Sequence, residues 1–313
     1  MANFKGYRKG VNIGGWLSQC VHTKEHYDSF ITENDIRELS TWNIDHIRIP
    51  VDYDLVEDKA GNYREEGFEY IRKVIDWCGK YGLNMILDLH KTFGYSFDDG
   101  EQEEGFFENE KYQERFCCLW EQFAAKFGMF DNRVAFELLN EVTDKSYCEK
   151  WNEISYKCIK RIRAIAPEIS ILVGGYYNNS IIAIPDLAMP YDEHIIYNFH
   201  CYDPLIFTHQ GAPWVKDMDI NFRMHIEDSE ACEEYYDKLF AEAVKVAKER
   251  NVMLYCGEYG AIDRMDEEDA YKWYSLIRKV FDKYDIGNAA WSYKEMDFGL
   301  TGKYLERVRK DFF

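Results

Sequence analysis

Two glutamates end apolar runs in this sequence: Glu141 closes Ala135-Phe136-Glu137-Leu138-Leu139-Asn140-Glu141, and Glu258 closes Val252-Met253-Leu254-Tyr255-Cys256-Gly257-Glu258. Short apolar runs of this kind read as buried strands, so each carboxylate is delivered at a strand end. Taken singly, either one reads equally well as a rim carboxylate in a salt bridge. Facing each other across a mouth, they offer what glycoside hydrolysis needs. One carboxyl acts as acid and the other as nucleophile, about 5–5.5 Å apart when configuration is retained.

Other apolar runs end on chemistry-bearing residues as well: Arg48, Asp88 with His90, Asn140, His200 with Tyr202, and Trp291. Asn140 has the amide to donate to a sugar hydroxyl, or to cap a strand end. His90 and His200 read as hydrogen-bond donors, core histidines or metal ligands. Metal is disfavoured because the first run offers Asn12 and glycines where a His-x-His pair is wanted. Trp291 has an indole face suited to stacking on a pyranose ring, and Trp16, Tyr95, Tyr176 and Trp214 are further possible subsite aromatics. Core packing is the competing reading for all five. Gly14-Gly15 and Gly174-Gly175 lack phosphate-loop spacing and read as tight turns.

The elements that must position these residues alternate. Eight β-rich runs are Val11–Gly15, His46–Pro50, Asn84–His90, Arg133–Glu141, Ser170–Tyr176, Ile195–Tyr202, Val252–Glu258 and Asn288–Tyr293. Between them, Gly67–Lys80, Tyr112–Phe127, Glu149–Ile165, Ala231–Glu249 and Glu267–Lys283 repeat apolar residues at helical spacing. Phe116, Leu119, Trp120, Phe123 and Phe127 fall on one stripe. Thr32 reads as a helix N-cap before Glu33-Asn34-Asp35. An eight-fold βα alternation predicts an α/β fold, a single (β/α)8 TIM barrel spanning residues 1–313, with the active site at the carboxyl ends of the strands. Two stretches outrun ordinary loops, 91–109 and 203–229, and both are expected beside that site.

Composition narrows the function further. Of 313 residues, 46% are apolar and 17% aromatic, which excludes a disordered chain. With 38 Lys+Arg against 57 Asp+Glu the net charge is -19, which repels nucleic acid and anionic membranes but not a neutral substrate. Lys5, Arg8 and Lys9 open the chain with no apolar signal segment after them, and no uncharged apolar stretch approaches the ~20 residues of a membrane span. The chain as it stands is expected to be cytoplasmic, or secreted if a leader precedes it, and to act as a monomer. Nine scattered cysteines without C-x-x-C predict free thiols.

Several of these segments carry a family resemblance. His46-Ile47-Arg48-Ile49-Pro50, Leu87-Asp88-Leu89-His90, Phe199-His200-Cys201-Tyr202 and Ala289-Ala290-Trp291-Ser292-Tyr293, with the two glutamate runs, resemble glycoside hydrolase family five, the cellulase family of clan A. Gly10-Val11-Asn12-Ile13-Gly14-Gly15-Trp16-Leu17 is similar to its endoglucanase C branch, and the resemblance spans nearly the whole chain. It implies a retaining endo-β-glucanase that hydrolyses β-1,4-linked or mixed-linkage glucan, polysaccharide or oligosaccharide, by double displacement without a cofactor or metal. Glu141 falls on the acid/base and Glu258 on the nucleophile, with Arg48, His90, Asn140, His200, Tyr202 and Trp291 in support. Val142 stands where many members carry Pro, and Lys91 where many cellulases carry a second His. The segment 203–229 is shorter than the matching insertion of the endoglucanase C branch.

Physical chemistry assigns the same roles. The charge of Arg48 and a Tyr202 hydroxyl bond favour an ionised Glu258. Glu141, facing that charge, is expected to keep its proton until the glycosyl-enzyme forms. Alternatives within the family are a β-mannanase or β-1,3-glucanase. Outside it they are a non-catalytic glycan-binding barrel or a metal-dependent hydrolase.

Overall fold

Runs rich in Val, Ile and Leu, apolar on both faces, can be satisfied only where both faces are covered, and the covered parallel sheet does this. The computed structural model describes residues 4–98 and 103–313. Residues 99–102, part of the long segment expected at 91–109, lie outside the described residues. Eight parallel strands close a barrel in chain order: β1 (Lys9–Asn12), β2 (His46–Asp52), β3 (Asn84–Lys91), β4 (Val134–Glu137), β5 (Ser170–Val173), β6 (Ile195–Cys201), β7 (Met253–Tyr259) and β8 (Gly287–Ala290). Val11 pairs with Ile47 on one side and Ala290 on the other, which joins the last strand to the first. The expected (β/α)8 barrel is the observed one.

Helices Glu65–Tyr81, Glu110–Phe127, Cys148–Arg163, Glu233–Glu249 and Glu267–Tyr284 lie within about two residues of the predicted stretches, because a long apolar stripe sets a helix firmly. Their ends carry the expected chemistry. Asn109 accepts from the Lys111 N–H, Asp266 accepts from Glu268 and Asp269, and Gly82 at φ +76° lets the chain leave Glu65–Tyr81. Thr32 caps Glu33–Leu39, with the Asp35 carboxylate returning a bond to the Thr32 N–H at 2.8 Å. The stripe Phe116, Leu119, Trp120, Phe123 and Phe127 is buried against the sheet. The fifth crossover has no long helix, only the turn Tyr176–Asn179 and the 3-10 segment Ile181–Asp186.

Four strands end well before their expected runs, β1 at Asn12, β4 at Glu137, β5 at Val173 and β8 at Ala290, and β4 shows how the chain continues. Pairing of β4 stops at Glu137, after which Leu138 N–H turns to Leu172 O at 3.2 Å and Asn140 N–H to Leu89 O at 3.0 Å. Those bonds to both neighbouring strands carry Asn140 and Glu141 over the rim without leaving buried backbone groups unpaired.

Candidate active site

A layer of polar side chains crosses the top of the barrel. At its centre is Arg48 on β2, fully buried. Its Nε donates to Glu137 Oε2 at 2.7 Å and its Nη2 to Glu137 Oε1 at 2.8 Å. Nη1 donates to Asn12 Oδ1 at 2.9 Å and Glu258 Oε1 at 2.7 Å, and Nη2 also reaches Asn140 Oδ1 at 2.9 Å. Asp88 adds a carboxylate oxygen 3.1 Å away. A buried cation is tolerable only when paired and fully hydrogen-bonded, and the five-donor fork of arginine meets that condition. Burial works against the charge, but Asp88, Glu137 and Glu258 together push the Arg48 pKa well above the ordinary arginine value.

A bulge aims the second glutamate. Pairing of β6 with β7 shifts after Phe199↔Cys256 to His200↔Glu258, leaving Gly257 as the extra residue. Its N–H donates to Asn198 Oδ1 at 2.9 Å and its carbonyl accepts from Asn12 Nδ2 at 2.9 Å. A Cβ there would lie 2.8 Å from Asn198 Oδ1 and 3.0 Å from His200 Nε2, so glycine is the residue that fits. The bulge turns Glu258 into the mouth.

The two glutamates differ in their partners. Glu258 takes Arg48 on Oε1 and the Tyr202 hydroxyl on Oε2 at 2.8 Å. Burial alone would lift its pKa. The charges of His200, Arg48 and His90 and the Tyr202 hydroxyl outweigh burial and hold the carboxyl below the usual glutamate value. Glu141 instead takes His200 Nδ1 on Oε1 at 2.7 Å and Asn178 Nδ2 on Oε2 at 2.8 Å. One carboxylate oxygen of each glutamate and a ring nitrogen of His200 all lie within 4.8 Å of one another. An oxygen of each glutamate lying that close fits the short carboxyl separation of a retaining pair, about 5–5.5 Å, better than the wider one of an inverting pair.

The same three donor atoms resemble a metal centre, yet each is already engaged by Arg48, Tyr202, Asn178 or a partner within the trio. A cation would have to displace those bonds. A second cluster, His22, Asp52 and Asp54, has the Lys91 ammonium 3.6 Å from Asp52 and 3.8 Å from Asp54. The Asp52 bond holds His22 charged, its pKa raised to about 10, so two protein cations already serve the two carboxylates.

The supporting residues converge on the same mouth. His90 Nδ1 bonds Asp88 Oδ2 at 2.6 Å, and its ring stacks on Trp291 with centroids 5.8 Å apart and planes at 5°. Trp291 is 6% exposed. Burial opposes charge on His90 and His200, but the nearby carboxylates raise both above the ordinary histidine value. Asn140 gives its oxygen to Arg48, while its Nδ2 is buried with no partner among the described residues. An unspent buried donor is costly, and its place beside the glutamates suits a sugar hydroxyl.

Of the four further aromatics, three are buried and spend their polar atoms within the protein. Trp16 is 1% exposed, stacks on Trp77 and donates from Nε1 to Tyr27 O. Tyr95 is buried with its hydroxyl on Glu141 O at 2.8 Å, which steadies the backbone at Glu141. Tyr176 is buried with its hydroxyl on Asp186 at 2.6 Å. Trp214 is 51% exposed and sits edge-on to His209 near Phe298, which in turn contacts Tyr202. It alone of the four keeps a free face.

Glu137, Asn12, Asn198 and Asn178 were not singled out from the sequence. The first three lie inside or at the end of apolar runs, where a lone polar residue on the inward side is itself a signal of a polar layer. All nine cysteines are free. Among the described residues, no helix is long and apolar enough to cross a membrane.

Residues 7–297 match the family described as Cellulase (glycosyl hydrolase family 5). Cellodextrinase A of Ruminococcus flavefaciens is 50% identical over 304 residues, covering 97% of this chain and 88% of the relative. Endoglucanase C of Acetivibrio thermocellus is 35% identical over 332 residues, covering 97% and 96%. Among solved structures, the cellulose synthase subunit Z of Clostridioides difficile superposes with a TM-score of 0.84 at 25% identity, over 97% of this chain and 98% of that one.

Proposed function

The chain belongs to glycosyl hydrolase family 5 and is a glycoside hydrolase of the endo-β-glucanase type, and on that premise we propose that Glu258 is its nucleophile and Glu141 its acid/base. The observation that carries the assignment is the asymmetry of two glutamates whose oxygens lie within 4.8 Å. Glu258, tied to Arg48 and Tyr202, is kept ionised and aimed. It attacks the anomeric carbon while Glu141 passes a proton to the departing glycosidic oxygen. In the second step water loses its proton to Glu141 and bonds the anomeric carbon as the bond to Glu258 breaks. The unspent Asn140 Nδ2 donates to the sugar 2-hydroxyl, a bond that strengthens as positive charge develops on the ring. Trp291, backed by His90, supplies the stacking face.

The substrate is a β-1,4-linked glucan, taken by a monomer. Relatives named cellodextrinase and endoglucanase favour soluble cello-oligosaccharides and accessible glucan chains. The test is a panel of cellotriose to cellohexaose, carboxymethylcellulose, barley β-glucan, glucomannan, galactomannan and laminarin, scored by rate and product length. Turnover of cello-oligosaccharides and β-glucan is expected. Turnover confined to galactomannan or laminarin would replace the glucanase reading with the mannanase or β-1,3-glucanase one.

A further inference from the structure

Three consecutive residues after β5, Tyr177, Asn178 and Asn179, hold the left-handed backbone conformation, with φ of +52°, +57° and +55°. Asparagine tolerates this region, whereas a bulky tyrosine resists it. A run of three persists only where surrounding contacts over-determine it, and such strain gathers at functional sites. The contacts are specific. Tyr177 N–H donates to Thr143 O at 3.1 Å and Asn178 N–H to Val142 O at 3.0 Å. Both carbonyls directly follow Glu141, so the turn is laid along the loop that carries that residue.

With the turn already pinned by two backbone bonds, the Asn178 side chain is free for another use. From an exposed position on the rim its Nδ2 reaches inward to Glu141 Oε2 at 2.8 Å. The other oxygen, Oε1, is held by His200 Nδ1 at 2.7 Å. Its neighbour Asn179, fully buried, places Nδ2 3.5 Å from His200 Nε2, so the same turn touches both ends of the Glu141–His200 pair. Each oxygen has one donor, but the His200 imidazolium draws the negative charge to Oε1, which leaves Oε2 as the oxygen that carries and exchanges the proton.

We propose that Asn178 is a positioning residue for the acid/base, its Nδ2 fixing Glu141 Oε2 as the oxygen that passes the proton and steadying the carboxylate each time that proton leaves. The proposal rests on the assignment of Glu141 as acid/base. In the first step the Oε2–H proton goes to the glycosidic oxygen as the bond from that oxygen to the anomeric carbon breaks and the bond to Glu258 forms. Asn178 meets the carboxylate left behind. In the second step Oε2 takes the proton of the attacking water, and the Asn178 bond keeps it turned toward that water.

The test is Asn178→Gly, which relieves the φ of +57° and keeps both backbone bonds while removing the donor. Asn178→Asp, which keeps the shape without the donor, is its companion. With cellotetraose, kcat/KM should fall about 10- to 100-fold, the size of one charge-assisted hydrogen bond. With 2,4-dinitrophenyl β-cellobioside, whose leaving group needs no proton, kcat/KM should stay within about threefold. On that substrate kcat should drop and azide, which needs no general base, should restore it. Equal losses on both substrates, or wild-type kinetics on both, would overturn the proposal. Glu141→Ala, run in parallel, should show the same split more strongly. If it does not, the acid/base assignment has failed, whereas a split in Glu141→Ala without one in the Asn178 variants sinks this inference alone.

Discussion

Arg48→Lys keeps the charge at the centre of the polar layer and removes its geometry. The guanidinium makes five hydrogen bonds to Glu137, Asn12, Glu258 and Asn140. Glu137 Oε1 keeps the Asn198 amide, so the three donors of an ammonium face four other acceptors and at least one of these is left unsatisfied. A buried unsatisfied group costs about 1–3 kcal/mol, which sets the least destabilisation. An unfolding entropy of about 2.1 cal/mol/K per residue then gives a Tm lower by at least about 1.5–4.5 °C for a chain of 313 residues. Glu258 and Asn140 are both among the affected residues, and misplacing reacting groups by about 1 Å costs on the order of a hundredfold. Calorimetry, with kcat/KM on cellotetraose, reads both effects. A Tm within about 1 °C of the parent and activity within about threefold would refute the claim that the planar fork, not the charge, holds the site.

Other perturbations reach the same site from different sides. Because Glu258 is held below its ordinary value of 4.5, the acid limb of kcat/KM should lie below pH 4.5. Activity is present above that limb and lost as pH falls through it, and a limb at or above 4.5 would contradict the described electrostatics. Trp291→Ala should fold with a stability loss of roughly 3–5 kcal/mol and lose turnover per folded molecule. Preserved turnover per folded molecule would mean that the indole only packs. Dialysis against a chelator should leave the rate unchanged, and a lasting loss restored by zinc would favour a metal-dependent mechanism.

The fold was legible because its signals are local. The β-branched run His46–Pro50 and the stripe of Glu110–Phe127 announce a strand and a helix without reference to anything distant. Glu141 and Glu258 stood out because a carboxylate after an apolar run is conspicuous. Glu137 did not, since its partner Arg48 lies 89 residues away and only barrel closure brings them together. The same reason hid Asn198, whose amide serves Glu137 across 61 residues. Trp16 and Trp214 look alike as aromatics near strand exits or loops, yet one stacks on Trp77 in the core and the other keeps half its surface in solvent. Asn178 depends on a left-handed turn that no periodicity encodes, although paired asparagines after two glycines are compatible with one.

The central claim is that Glu258 forms the covalent bond to the sugar while Glu141 moves protons. The most direct measurement is trapping with 2-deoxy-2-fluoro-β-cellobiosyl fluoride, which slows both steps but carries a leaving group that needs little protonation. Peptic digestion and mass spectrometry then locate the label. The account predicts one fluorocellobiosyl group per chain, on the peptide containing Glu258 and absent from Glu258→Gln, with Glu141→Ala still labelled. A label on Glu141, or one retained by Glu258→Gln, would contradict it.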